Sequence, residues 1–321
     1  MSSSHASAIS PGIVVAERYR IVKALAEGGV GSVWVAEHVG LGRRVALKVL
    51  HADVARDPRA LERFDREART LAKLTHPNIV APIDYGTWNG APYLVMELLE
   101  GKPLSELLGI GRTLDVEPAL AIARPLLQAL AHAHAHGIVH RDLKPANVFL
   151  QSIPDEGDHL KLIDFGLAKP HAPQSDAGIT GKNVAVGTPP YMPPESLTGA
   201  TLDARADVYS AGVMLFEMLT GRRPFEGEPV DVLRRKMSGE ALRARAARPD
   251  GTIPEWLDEA IAKAIARKPD ERFQTVSEFA RALVPPKEPR RPVASTRGPW
   301  IPWVVAAIAV LAALYLGVRG I

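Results

Sequence analysis

His140-Arg141-Asp142-Leu143-Lys144-Pro145-Ala146-Asn147-Val148-Phe149-Leu150 sets a carboxylate, an ammonium and a carboxamide close together, directly before an apolar run of strand character. Asp164-Phe165-Gly166 follows it, and further on comes Gly187-Thr188-Pro189-Pro190-Tyr191-Met192-Pro193-Pro194-Glu195. Taken singly, each charged residue reads most simply as half of a surface ion pair, because Asp and Lys are mostly exposed. As an ordered set, the three segments raise the question of what upstream residues complete them.

Upstream, Leu25-Ala26-Glu27-Gly28-Gly29-Val30-Gly31-Ser32-Val33-Trp34-Val35-Ala36 is a glycine-rich turn with a strand on either side. Glycine runs alone are weak signals, since Gly-Gly also marks ordinary hairpins. Dinucleotide and Walker-type phosphate loops open directly into helices, whereas Ser32–Val35 is strand-like, and Gly-x4-Gly-Lys-[Ser/Thr] is absent from the chain. The next strand, Arg44–Leu50, alternates so that Val45, Leu47 and Val49 face one way while Ala46 and Lys48 share the other. A helical pattern over 58–74 carries the apolar stripe Leu61, Phe64, Ala68 and Leu71, and Glu67 falls inside that stripe. A carboxylate there needs a cation, because an unpaired buried charge costs several kcal/mol, and Lys48 is the obvious candidate. Glu62, Asp65 and Arg66 read as the solvated face.

With these pieces in order, residues 17–284 resemble the eukaryotic-like serine/threonine protein kinases, in particular their bacterial membrane-anchored members. The resemblance implies an α+β, bilobal protein-kinase fold with a β-rich N-lobe carrying one main helix and a larger helical C-lobe. It implies that Asp142 orients the substrate hydroxyl and accepts its proton, and that Lys144 steadies the γ-phosphate. Lys48, positioned by Glu67, holds the α- and β-phosphates, and Thr188 bonds near Asp142 and Lys144. Asn147 and Asp164 are hard oxygen donors suited to Mg2+, with Mn2+ as an alternative. ATP would lie between Leu25 and Val33 above, Ala46 behind them and Phe149 below. Met96 would be the gatekeeper, and the backbone of Glu97 to Leu99 would run along the adenine edge. In the glycine loop Ala26 replaces the first glycine of Gly-x-Gly-x-x-Gly, while Gly28 and Gly31 keep the second and third and are expected to be free for close approach to phosphates. Arg141 suggests control by a phosphate on the following segment, with Thr180 the first choice and Ser175 the second. Glu195 with Arg272, and Asp207 near the catalytic loop, resemble structural anchors; Pro193 departs from the small residue usual there. His132, His134, His136 and His140 stand at helical spacings that metals use, but His140 belongs to the motif, which disfavours a metal.

The implied activity is transfer of the γ-phosphate of MgATP to Ser/Thr hydroxyls of proteins, autophosphorylation included. A pseudokinase scaffold is the alternative, and the intact Lys48, Glu67, Asp142, Asn147 and Asp164 favour catalysis. The formal charge of +3 is concentrated after Val284, where five Lys/Arg meet one Glu, so the first 284 residues carry about −1 and nucleic acid is not an expected partner. The chain has no cysteine, which excludes disulfides and thiolate chemistry.

Composition divides the chain into a polar start (1–12), a kinase domain (13–284; N-lobe 13–97, C-lobe 100–284), a basic Pro-rich linker (285–299), an apolar stretch (300–318) and a short tail (319–321). Residues 300–318 carry no charge over 19 residues, about 28 Å as a helix and close to the hydrocarbon thickness of a bilayer. Trp300, Trp303 and Tyr315 stand near its ends, and Arg290, Arg291 and Arg297 precede it. This pattern predicts a single-pass transmembrane helix at the cell membrane with the kinase domain cytoplasmic. The same span could assemble homodimers for activation in trans.

Overall fold

The computed structural model describes residues 9–29, 31–109, 111–153, 157–165, 190–198 and 200–286. The expectations for Gly166, Ser175, Thr180, Thr188 and the span 300–318 lie outside these residues. Among the described residues no helix is long and apolar enough to cross a membrane. A compact unit ends at Pro285.

The N-lobe is a six-stranded antiparallel sheet in the order β1-β2-β3-β4-β6-β5, built from β1 (Val14–Val15), β2 (Tyr19–Glu27), β3 (Gly31–His38), β4 (Arg44–Leu50), β5 (Pro82–Trp88) and β6 (Ala91–Glu97). The alternation expected of β4 is realised. Val45, Leu47 and Val49 join Tyr19, Ile21, Tyr93 and Val95 in a cluster on one face of the sheet, leaving Ala46 and Lys48 to the other.

Helix α1 (Pro58–Leu71) starts where the chemistry allows it to start. Asp57 caps it by accepting from the Arg59 N–H at 3.0 Å, and Pro58 occupies the first turn, where no N–H is needed. Ala60, Phe64, Glu67, Ala68 and Leu71 are buried; Leu61 is only partly so. The opposite face carries the ion pairs Arg66–Glu62 (2.7 Å) and Arg69–Asp65 (2.8 Å), as its i, i+4 spacing permits.

The C-lobe contains β7 (Gly101–Pro103), α2 (Leu104–Leu108), α3 (Val116–Ala135), β8 (Val148–Ile153), β9 (Gly157–Leu162), α4 (Ala204–Thr220), α5 (Pro229–Ser238), α6 (Ala244–Ala247), α7 (Glu255–Ala264) and α8 (Val276–Ala282). Strands β7, β8 and β9 form a second small antiparallel sheet. Helix α4 is buried almost all round and ends at Gly221, whose left-handed φ of 69° closes its last turn. One large core runs through this lobe and reaches Leu50, Phe64, Ala68, Leu71 and Leu94 of the N-lobe.

Three boundaries differ from the apolar patterns of the sequence, which mark a strand over 79–85 and helices over 58–74 and 255–267; the helix over 58–74 ends at Leu71. The segment Ile79–Tyr85 is not one strand: β5 begins at Pro82. Ile79 and Val80 are buried, but Val80 donates to the Leu162 carbonyl and Leu162 to that of Asn78, so their apolar side chains join the lobes instead of a sheet ladder. The helix expected over 255–267 stops at Ala264. The Ala266 and Arg267 carbonyls are taken instead by the Arg272 guanidinium, at 2.7 and 2.8 Å.

Candidate active site

Three elements converge on Lys48. Its Nζ lies 2.7 Å from Glu67 Oε1 on α1 and 3.0 Å from Asp164 Oδ1, just past β9. The pairing expected between Lys48 and Glu67 is therefore formed, and it extends to Asp164. Burial pulls the Lys48 ammonium down, but the Asp164 and Glu67 carboxylates outweigh it, and the net shift is upward. Burial pushes the Glu67 carboxyl up, with Lys48 opposing. Lys48 is accordingly a fixed cation at neutral pH.

Below it, Lys144 Nζ lies 3.1 Å from Asp142 Oδ2, and Asn147 Nδ2 donates to the Asp142 carbonyl at 2.8 Å. Lys48, Glu67, Asp142, Lys144, Asn147 and Asp164 all line one cavity of about 250 Å³, which Gly31 borders from above. The donor set suits a hard divalent cation. The nitrogen of Asn147 is engaged by Asp142, which leaves its carbonyl oxygen, and Asp164 keeps a second carboxylate oxygen beside the one that meets Lys48.

The loop that carries Asp142 is held from behind. Asp207, fully buried on α4, accepts from the His140 N–H (2.8 Å), the Arg141 N–H (2.9 Å) and His134 Nε2 (2.7 Å). These bonds fix Arg141 at φ 64°, a left-handed conformation uncommon for a non-glycine residue; Asp164 is similar at φ 51°. His140 is wholly buried, and burial lowers its pKa. Its neutral ring accepts the Asp142 N–H at Nδ1 (3.3 Å) and packs against the buried Phe165, centroid to centroid 4.9 Å. His134 and His140 thus brace the loop, while the His132 and His136 rings lie 4.6 Å apart.

Residues expected around adenine lie along the cleft face of the sheet and its exit. Ala46 sits opposite Met96 in the β4–β6 register. Leu25 is half-exposed on β2, and Val33 is partly buried on β3. The Glu97 N–H is used by the Ala81 carbonyl (3.0 Å), and its carboxylate by Lys161 (2.7 Å) and the Ala81 N–H (2.8 Å). Its backbone carbonyl and the Leu99 amide belong to the segment expected along the adenine edge. Phe149 lies on β8 between Pro103 and Lys161.

In the glycine loop Gly31 has a separate reason to lack a side chain: a Cβ there would lie 2.3 Å from the Val49 carbonyl oxygen on β4. At Gly28 the nearest atom to such a Cβ among the described residues is the Gly31 carbonyl oxygen, 3.6 Å away, so no described residue crowds it. Ala26 pairs with Val33 just after a register shift in β2, in ordinary strand conformation that alanine adopts without strain. His51 Nε2 donates to the Gly28 carbonyl at 2.9 Å, tying the loop to the end of β4. Gly31→Ala is expected to lower the melting temperature, as overpacking by about 1–3 kcal/mol would, and to weaken ATP binding. Gly28→Ala should weaken ATP binding while leaving the melt near the parent's. Thermal unfolding with and without ATP separates the two.

A family model described as the protein kinase domain matches residues 19–284. This chain belongs to the protein kinase family. The kinase is 40% identical over 271 residues to Serine/threonine-protein kinase Pkn1 of Myxococcus xanthus, covering 83% of this chain and 38% of that protein. It is 36% identical over 266 residues to Serine/threonine-protein kinase PrkC of Bacillus subtilis, covering 83% and 40%. The chain therefore spans less than half the length of these relatives. Among solved structures, the Mycobacterium tuberculosis PknI kinase domain matches with a TM-score of 0.65 and 30% identity, over 86% of this chain and 98% of that one.

Sequence reasoning missed two parts of the site, the left-handed Arg141 and Asp164 and the His134 brace on Asp207, and one helix of the C-lobe, α5. For the last a signal existed, since Pro229 and Gly239 (φ 82°) punctuate α5 at its start and stop.

Proposed function

We propose that this kinase transfers the γ-phosphate of MgATP to Ser and Thr hydroxyls of proteins, itself included. The observation that carries the reading is the convergence of Lys48, Glu67, Asp142, Lys144, Asn147 and Asp164 on one cavity. Phosphoryl transfer asks the protein to align a hydroxyl with the γ-phosphorus and to offset phosphate charge. Asp142 is placed to orient the hydroxyl and take its proton, and Lys144 beside it to meet the γ-phosphate. Lys48 offers the α- and β-phosphates a cation held in place from two sides. Asn147 and Asp164 would hold Mg2+, which, when bound, offsets charge on the phosphates.

The charge-free stretch 300–318 behind a basic linker supports a kinase tethered to the cell membrane with its catalytic unit cytoplasmic, and pairing of such spans supports activation in trans. The test is the full-length chain with γ-labelled ATP and Mg2+. Label is expected on Ser or Thr of the chain or of dephosphorylated casein, and its loss on chelation. Nucleotide binding without transfer would instead establish the scaffold.

A further inference from the structure

We propose that Lys236 is a positioning residue for the protein acceptor, holding the backbone of residues 190–192 in the shape against which the acceptor docks. The inference rests on the kinase reading above. Lys236 is fully buried, and its Nζ donates to the Pro190 and Met192 carbonyls, both at 2.8 Å. The same ammonium stands 5.9 Å from the Tyr209 ring centroid and 6.0 Å from that of Phe225.

The composition of the segment explains why it needs such a donor. Pro189, Pro190, Pro193 and Pro194 have no N–H, so this stretch cannot build a backbone ladder of its own. Each carbonyl from 190 to 193 is met by a side chain instead: Lys236 at 190 and 192, Ser210 Oγ at 191 (2.9 Å), and Ser196 Oγ at 193. The Tyr191 hydroxyl donates to Glu217 at 2.6 Å.

Stability alone does not call for an ammonium here. A buried cation costs several kcal/mol before its bonds are counted, and an apolar side chain of the same length would fill the space between Tyr209 and Phe225. Burial, with the Arg223 guanidinium adding repulsion, pulls the Lys236 pKa down to about 8. What the ammonium adds is direction, since one atom fixes two carbonyls on either side of Tyr191. Pro190 stands two residues after Thr188, the residue expected beside Asp142 and Lys144. Ser210, which holds the Tyr191 carbonyl, stands about one turn of α4 after Asp207, which holds the His140 and Arg141 amides, so a shift of the 190–192 backbone acts beside the loop that carries Asp142 and away from Lys48.

The experiment measures initial rates of the full-length kinase against dephosphorylated casein and against ATP. Lys236→Met keeps the length and packing and removes the donor. It is expected to raise the KM for casein about tenfold, with kcat and the KM for ATP within threefold of the parent. Lys236→Gln, whose amide still reaches one carbonyl, should recover part of the loss. A casein KM within twofold of the parent in a folded Met variant, or ATP and casein constants moving in parallel, would overturn the proposal. If the Met variant does not fold, an unchanged casein KM in the Gln variant has the same force. A parent that transfers phosphate to nothing fails the kinase reading itself, and the inference falls with it; that outcome is visible before any variant is made.

Discussion

Asp142→Asn is expected to lower the turnover of phosphate transfer about a thousandfold, while ATP affinity stays within about threefold of the parent's. The carboxylate sits at the floor of the cavity, with Lys144 at 3.1 Å and its own carbonyl bonded by Asn147. An amide of the same shape keeps the packing but cannot take a proton from the incoming hydroxyl. General base catalysis contributes about 10²–10⁴ in rate, and a thousandfold corresponds to about 4 kcal/mol of barrier. ATP contacts are assigned to Lys48, the glycine loop and the cleft face of the sheet, so binding is largely spared. Single-turnover label transfer together with ATP calorimetry measures both quantities. A variant that binds ATP normally and still turns over within tenfold of the parent removes Asp142 from the role of base.

The largest stability effect is expected at Arg272. Its side chain is wholly buried, and all five guanidinium hydrogens find acceptors. Two go to the Glu195 carboxylate at 2.7 Å each, and the others to the Ala266, Arg267 and Arg205 carbonyls. Arg272→Met leaves the Glu195 charge and three carbonyls without their donor. Removing one partner of a buried pair costs about 3–5 kcal/mol, which for a domain of this size lowers the melting temperature by about 10 °C. The double variant Glu195→Leu with Arg272→Met should regain part of that loss, because the stranded carboxylate goes with its partner. Thermal melts of the two single variants and the double variant test this. A single-variant loss below about 1 kcal/mol would mean that the bidentate pair is dispensable to the fold.

Much of the site was legible in the sequence because its residues sit at the regular periods of secondary structure. Period two put Lys48 on the face opposite Val45 and Val49, and period 3.6 put Glu67 inside the apolar stripe of α1. The carboxylate there could be assigned a cation before any coordinates. Glu195, Arg272 and Asp207 were readable as anchors only through family resemblance, since nothing in their local pattern says that they are buried. Ile79 and Val80 misled because apolar residues that seal a lobe junction look like strand residues. Helix α5 was missed because few of its side chains are buried, so its signals lay in Pro229 and Gly239 and not in periodicity. The close approach of Gly31 to Val49 depends on the spacing of two backbones, which residue identities do not encode.

The division of apolar residues into two clusters has a further consequence. Helix α1 packs with Leu50 and Leu94 into the core that continues through the C-lobe, whereas Tyr19, Val45, Leu47 and Val95 pack separately on the other face of the sheet. Strand β4 couples the two, since its side chains alternate between the faces. Amides of β1 and β2, whose buried residues belong to the smaller cluster alone, are expected to exchange with solvent before those of β4. Such an opening would loosen the strand that leads into the glycine loop while the Lys48–Glu67 link stays formed.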